Sequence, residues 1–292
     1  MSSFKKQITI KCEYCNSVNS MNSMNSMNSK CKVCGLSSVS SKSTITNIKS
    51  INISNIYVIN LKKDNKRLIG FNNNLKKAKI DIKNRIWGRF DAIDGNNHEL
   101  VKEVSKIFTN KDIEPLWKNY KGSIGCYLSH LKLWKNLQVN LQENSKENGK
   151  ENSKENGKVN SKDYYSLIME DDAFFTPNGL NNLEIAFRQS LNYDWDILYV
   201  GHNILSGKTI HPLFVKPNSN LNKRGFNSGF FGYIIKHSSI DKLLKIFSRF
   251  DSPFIDVQAR ISFKEFNALF IKGNLIKHVK NISSRKIRDN TG

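Results

Sequence analysis

Acidic residues are scarce in this sequence, long apolar runs are missing, and cysteine is rare. Asp and Glu number 25 against 46 Lys and Arg, for a formal net charge of +21. Such an imbalance raises nucleic acid or an anionic surface as a partner. The excess is spread along the chain rather than blocked, however, and it sits beside heavy use of Lys, Asn, Ile and Ser, a compositional bias. A basic face suits a phosphorylated, anionic sugar equally well. No stretch of about 18 apolar residues occurs, so no transmembrane segment is expected. Nor does an apolar leader follow Met1-Ser2-Ser3-Phe4-Lys5-Lys6, and the expectation is a soluble, cytoplasmic protein. Of the five cysteines four form two Cys-x-x-Cys pairs, which fits metal binding in a reducing compartment better than a disulfide frame.

Apolar residues are also missing from two segments. Asn19 to Ser29 is an Asn-Ser-Met repeat, and 142–162 is built on Lys-Glu-Asn-Gly and Lys-Glu-Asn-Ser. Neither can bury enough surface to offset its ordering entropy, so both are expected to be disordered insertions. Around the first lie Cys12, Cys15, Cys31 and Cys34. Two knuckles of this spacing supply the four thiolates of a tetrahedral structural Zn2+ site, so a zinc ribbon is expected over residues 8–37. A Ser- and Thr-rich linker, 38–52, separates it from a main domain over 53–285.

The main domain opens with a buried strand, Ile53 to Leu61, followed by a helical stripe from Arg67 to Ile80 and a second strand around Ile86 to Phe90. Alternation of strand and helix on this scale points to an α/β fold with a parallel sheet. Ile124, Tyr127, Leu128, Leu131, Trp134 and Leu137 recur at helical spacing. On that pattern Cys126 is a buried small hydrophobe and His130 a structural hydrogen-bonder. Ser238 and Asp241 have the spacing of a capping box. The stretch richest in chemistry is Tyr164 to Phe175, a strand-like run that ends in Glu170-Asp171-Asp172. Alternation puts Glu170 and Asp172 on one face and Asp171 on the other. Three adjacent acids repel, and a hard divalent cation is the usual remedy; a solvated acidic turn is the plainer alternative.

Seven segments in order resemble glycosyltransferase family 25, which includes lipopolysaccharide-sugar transferases and collagen hydroxylysine galactosyltransferases. They are Tyr57-Val58-Ile59-Asn60-Leu61 with Arg67; Ala92-Ile93-Asp94-Gly95; Gly122 to His130 with Trp134; Ile168-Met169-Glu170-Asp171-Asp172; Trp195-Asp196-Ile197-Leu198; Gly232-Tyr233-Ile234-Ile235 with Leu243-Leu244; and Pro253 with Asp256. The resemblance implies a Rossmann-like GT-A domain that uses a nucleotide-diphosphate sugar, a UDP-sugar with galactose as first expectation, and an acceptor hydroxyl on a glycan or a protein hydroxylysine. It implies Mn2+ or Mg2+ on Glu170 and Asp172, with Asp171 on the donor sugar or holding a helix. It places Asn60, Arg67, Asp94 and His130 at the donor, and Asp256 as the base of an inverting reaction or the cap of the following helix. His278 lies where some GT-A enzymes supply a metal ligand. The competing reading is a nucleic-acid-binding zinc-ribbon protein with an inactive transferase domain.

Overall fold

The computed structural model describes residues 8–11, 18–21, 53–77, 87–148, 164–203, 206–218 and 228–278. Cys12, Cys15, Cys31 and Cys34, and with them the expected zinc ribbon, lie outside the described residues, as does the 38–52 linker. Near the N-terminus, β1 (Ile8–Lys11) pairs antiparallel with β2 (Val18–Met21). Asn19, Ser20 and Met21 therefore belong to a strand, which corrects the expectation that disorder begins at Asn19.

The main domain runs β3 (Ile53–Asn60), α1 (Asn65–Lys77), β4 (Trp87–Asp91), α2 (His98–Ser105), α3 (Glu114–Asn119), α4 (Lys121–Asn148), β5 (Tyr165–Glu170) and β6 (Ala173–Phe175). It continues with α5 (Gly179–Ser190), β7 (Ile197–Gly201), β8 (Gly207–His211), β9 (Phe214–Pro217), β10 (Gly232–Lys236), α6 (Ile240–Phe247), α7 (Ile255–Ile261), β11 (Ala268–Ile271) and β12 (Ile276–His278). Eight strands make one sheet in the order β4-β3-β5-β10-β7-β11-β9-β8. β3 lies parallel to both β4 and β5, and β11 parallel to β7, whereas β10 runs antiparallel between β5 and β7. Parallel neighbours need crossover connections, and the helices supply them. This is the α/β class expected.

Helices cover both faces, which is why β5 reads as an unbroken apolar run rather than an alternating one. Its side chains still divide by the period of two. Leu167 and Met169 join Phe71 and Leu75 of α1 and Leu183 and Phe187 of α5 on one side. Ile168 joins Ile124, Tyr127, Leu131 and Trp134 of α4 and Phe247 of α6 on the other. The expected stripe of α4 is buried throughout, and its backbone stays helical to Asn148, so the low-complexity segment is ordered at its start. Gln, Glu and Lys are good helix formers, and an established helix extends at little cost.

Two glycines set where α4 begins. A Cβ on Gly95 would stand 1.8 Å from the carbonyl oxygen of Lys121, and one on Gly125 would stand 2.6 Å from the backbone nitrogen of Gly95. The loop after β4 therefore touches the first turn of α4 backbone to backbone. The residue that directly precedes α6 is Ser239, not the expected Ser238, and its side chain makes no cap bond. Its hydroxyl donates instead to Asp196 at 2.6 Å, and Asp241 accepts from Gln138. Among the described residues no helix is long and apolar enough to cross a membrane.

Candidate active site

The carboxyl ends of β4, β3 and β5 finish side by side, with Asp91 opposite Asn60 and Ile59 opposite Glu170. Ligands of open α/β sheets bind at this edge. β5 stops at Glu170, and Asp171 and Asp172 form the turn into β6. The period of two therefore ends one residue too soon for the expected faces. Asp171 and Asp172 go the same way, and Glu170 goes the other.

Arg67, in the first turn of α1, meets both aspartates: its Nη2 lies 2.5 Å from Asp171 Oδ1 and 2.9 Å from Asp172 Oδ2. The buried Asn60 side chain donates through Nδ2 to Asp171 Oδ2 at 2.7 Å and accepts at Oδ1 from Arg89 Nε at 3.1 Å. Burial pushes the Asp171 carboxyl up to about 6, against the downward pull of Arg67 and Asn60. A single guanidinium thus carries two carboxylates, with a side-chain amide fixing the more buried one. Asn60, Arg67, Asp171 and Asp172, all singled out from the sequence, come together here.

Glu170 faces α4. Its Oε1 lies 3.3 Å from Cys126 Sγ and 3.4 Å from His130 Nε2. His130 is fully buried, and its Nδ1 lies 2.8 Å from the hydroxyl of Tyr233, which accepts from Trp134 Nε1 at 2.9 Å. This places His130 behind Glu170 rather than against a donor, in the structural role its helical pattern allowed. Cys126 is only partly buried, because it borders the acidic edge rather than the core. Tyr233 was legible only as part of a strand; nothing in its sequence neighbourhood marks it as the partner of His130.

The other candidates ring this edge. Asp94 pairs with Lys63, and its Oδ1 accepts from the backbone of Asn96 at 3.1 Å. Asp256 lies in the first turn of α7, where its Oδ1 accepts from the backbone of Val257 at 2.9 Å and its Oδ2 from that of Gly229 at 3.4 Å. Two residues beyond Gly229, the carbonyl of Phe231 accepts from Glu170 N at 3.0 Å, so a single short strand lead-in joins Asp256 to the acids. His278 pairs in register with Ala173, next to Asp172, and its Nε2 lies 2.9 Å from Asn203 Oδ1. Asp171 and Asp172 supply carboxylate oxygens of the kind a hard divalent cation takes, and Arg67 already bridges the two. Trp195-Asp196 belongs to the opposite edge and to the fold.

Residues 53–147 match the family described as Glycosyltransferase family 25 (LPS biosynthesis protein). That segment contains Asn60, Arg67, Asp94, Cys126 and His130. A protein of Acanthamoeba polyphaga mimivirus, named Procollagen lysyl hydroxylase and glycosyltransferase, is 30% identical over 175 residues, 57% of this chain and 17% of that protein. A Glycosyltransferase 25 family member of Aedes aegypti is 24% identical over 198 residues, 66% of this chain and 28% of the relative. The aligned part is thus less than a third of either relative. Among solved structures, a glycosyltransferase involved in the glycosylation of the major capsid of PBCV-1 aligns over 81% of this chain and 96% of its own, at 10% identity and a TM-score of 0.36.

Proposed function

We propose that this chain, which carries a glycosyltransferase family 25 segment, transfers a sugar from a nucleotide-diphosphate donor to a hydroxyl group. The observation that carries this reading is the Arg67 bridge between Asp171 and Asp172, braced by Asn60, at the carboxyl ends of parallel strands. A GT-A reading of the sheet suits it, since the donor then lies across the edge where these groups converge. UDP-galactose is the first donor to try. The name of the mimivirus relative, which joins procollagen lysyl hydroxylation to glycosyl transfer, favours a hydroxylysine or a glycan hydroxyl as acceptor.

Asp172 would hold Mn2+ or Mg2+, with His278 of the neighbouring strand as a further ligand, whereas Glu170, expected beside it, faces α4. Such an ion, when bound, offsets the charge that grows on the departing diphosphate. The remaining work falls to the chain's own groups. Arg67 fixes both aspartates and keeps Asp172 aimed along the edge. Asn60 holds Asp171, which can accept a hydrogen bond from a donor-sugar hydroxyl. Lys63, paired with Asp94 beside the same edge, offers a cation to phosphate. Asp256 would take the proton of the acceptor hydroxyl as it attacks opposite the diphosphate, which inverts the anomeric centre. The four N-terminal cysteines would hold a structural Zn2+ in a separate module.

A panel of nucleotide sugars, incubated with and without Mn2+, tests the proposal. Release of one nucleotide that requires the metal and is lost in Asp172→Asn is expected. Failure of every donor to bind, measured by calorimetry in the presence of metal, would overturn the reading. Salt-sensitive binding to arbitrary DNA or RNA in that same preparation would favour the nucleic-acid alternative instead.

A further inference from the structure

We propose that Cys126, His130 and Glu170 form a second metal site, one that takes a zinc-type transition-metal ion and is chemically distinct from the hard-cation site at Asp172. The three ligand atoms lie within 4.8 Å of one another. Cys126 and His130 stand four residues apart on α4, so they share one helical face, as paired ligands on a helix must. The carboxylate arrives from the end of β5. A thiolate, an imidazole and a carboxylate make a mixed S, N, O set, which suits zinc and cobalt and does not suit magnesium or manganese.

Two of the three separations agree with that assignment, and the third, thiol to imidazole, lies within 4.8 Å. Zinc bonds of about 2.3 Å to sulfur and about 2.0–2.1 Å to nitrogen or oxygen put neighbouring ligand atoms of a tetrahedron roughly 3.3–3.6 Å apart. The observed separations from Glu170 Oε1 are 3.3 Å to the thiol and 3.4 Å to the imidazole. The second layer is in place as well. Metal-bound histidines are usually fixed through their other ring nitrogen. Here Nδ1 lies 2.8 Å from the Tyr233 hydroxyl, which Trp134 Nε1 anchors at 2.9 Å. The Tyr233 oxygen has two lone pairs and can accept from both Trp134 and a protonated Nδ1, which leaves the Nε2 lone pair directed at the cluster.

Metal binding replaces one proton arrangement by another. Without metal, the Tyr233 hydroxyl can donate to Nδ1 and the Nε2 hydrogen to Glu170. On binding, the imidazole hydrogen moves to Nδ1 and the thiol proton of Cys126 is released to solvent. Three protein ligands leave a fourth position open, on the side where Cys126 and Glu170 are partly exposed. Because Glu170 ends β5 directly before Asp171, an ion here would also fix the strand end that carries the acidic edge.

Co2+ is the probe, since a thiolate ligand gives it an intense near-ultraviolet charge-transfer band. The full chain with Cys12→Ser, Cys15→Ser, Cys31→Ser and Cys34→Ser keeps Cys126 as its only thiol. It should bind one equivalent of Co2+ with that band. Adding Cys126→Ser should abolish the band, and adding Tyr233→Phe should weaken binding about tenfold. A folded fourfold variant that shows no thiolate band overturns the proposal. Should that variant not fold, the unaltered chain decides: stripped by chelator and reloaded with Zn2+, it must hold one metal more than Cys126→Ser, and equal contents overturn the proposal.

Discussion

Two aspartates at opposite edges of the same sheet, Asp196 buried and Asp171 partly so, are treated differently by their surroundings. Asp171, at the carboxyl edge, is pushed up to about 6, because burial outweighs Arg67 and Asn60. Asp196, at the foot of β7, is also pushed up by burial, yet it ends below the usual carboxylate range. Hydrogen bonds from Lys242 at 2.7 Å, Ser239 at 2.6 Å and the backbone of Asn267 at 2.7 Å hold its charged form. The foot is saturated with donors that tie β7 to α6 and to the lead-in of β11. The carboxyl edge leaves its charge under-compensated, as a surface that must accept a cation or a substrate hydroxyl does. On the proposed function, stability resides at one edge and chemistry at the other.

That contrast can be broken from either side. The largest effect is expected at the chemical edge: Asp172→Asn should lower metal-dependent nucleotide release at least about a hundredfold while the thermal midpoint stays nearly unchanged. A fall in midpoint large enough to account for the lost activity would place Asp172 in the fold instead. Asp196→Ala should do the reverse. It leaves the donors of Ser239 and Asn267 without their acceptor and should cost about 3 kcal/mol in denaturant unfolding, with turnover per folded molecule unchanged. Lys242 is partly exposed and adds little to that figure.

The same division decides what was legible in the sequence. Buried strands and the α4 stripe could be read because burial repeats with a fixed period. Glu170-Asp171-Asp172 could be located, but not their directions, because the strand ends at Glu170 and a turn has no period. Ser238 and Asp241 carried a local signature, yet the residue before α6 is Ser239, whose hydroxyl goes to Asp196, and Asp241 is met by Gln138 from α4. Tyr233 behind His130, and Arg67 between two aspartates, depend on contacts between residues far apart in the chain, which no spacing rule encodes. The resemblance supplied Arg67 as a name; only the fold supplied its partners.

Gly95 and Gly125 connect the two kinds of information. Both lie in segments that carried the resemblance, yet neither touches the acids. Their backbones meet so closely that Gly125→Ala must push the loop after β4 away from α4. A loss of about 2 kcal/mol is expected, together with weakened donor binding, since α4 carries Cys126 and His130 to Glu170. Unchanged stability in Gly125→Ala, measured by urea unfolding, would show that the contact relaxes without cost.

The smallest effect sharpens the contrast at the foot. His237 is buried beside Ser166, whose hydroxyl lies 2.8 Å from its Nε2, and burial pushes the imidazole down to about 4. In the unfolded chain the same ring titrates near 6.5. Above that value it is neutral in both states and costs nothing. As pH falls from 6.5 toward 4 the unfolded chain binds a proton that the folded chain refuses, so stability is lost across this window, by about 2 kcal/mol at pH 4.5. Asp171 shifts the other way: over pH 4 to 6 its folded form holds the proton more tightly, so its contribution grows as pH falls. The two are separated by His237→Gln, which keeps a donor for Ser166 and cannot titrate. Urea unfolding at pH 7 and pH 4.5 should show this variant losing about 2 kcal/mol less than the wild type. An equal loss in both would mean that His237 takes up its proton in the folded protein as readily as in the unfolded one.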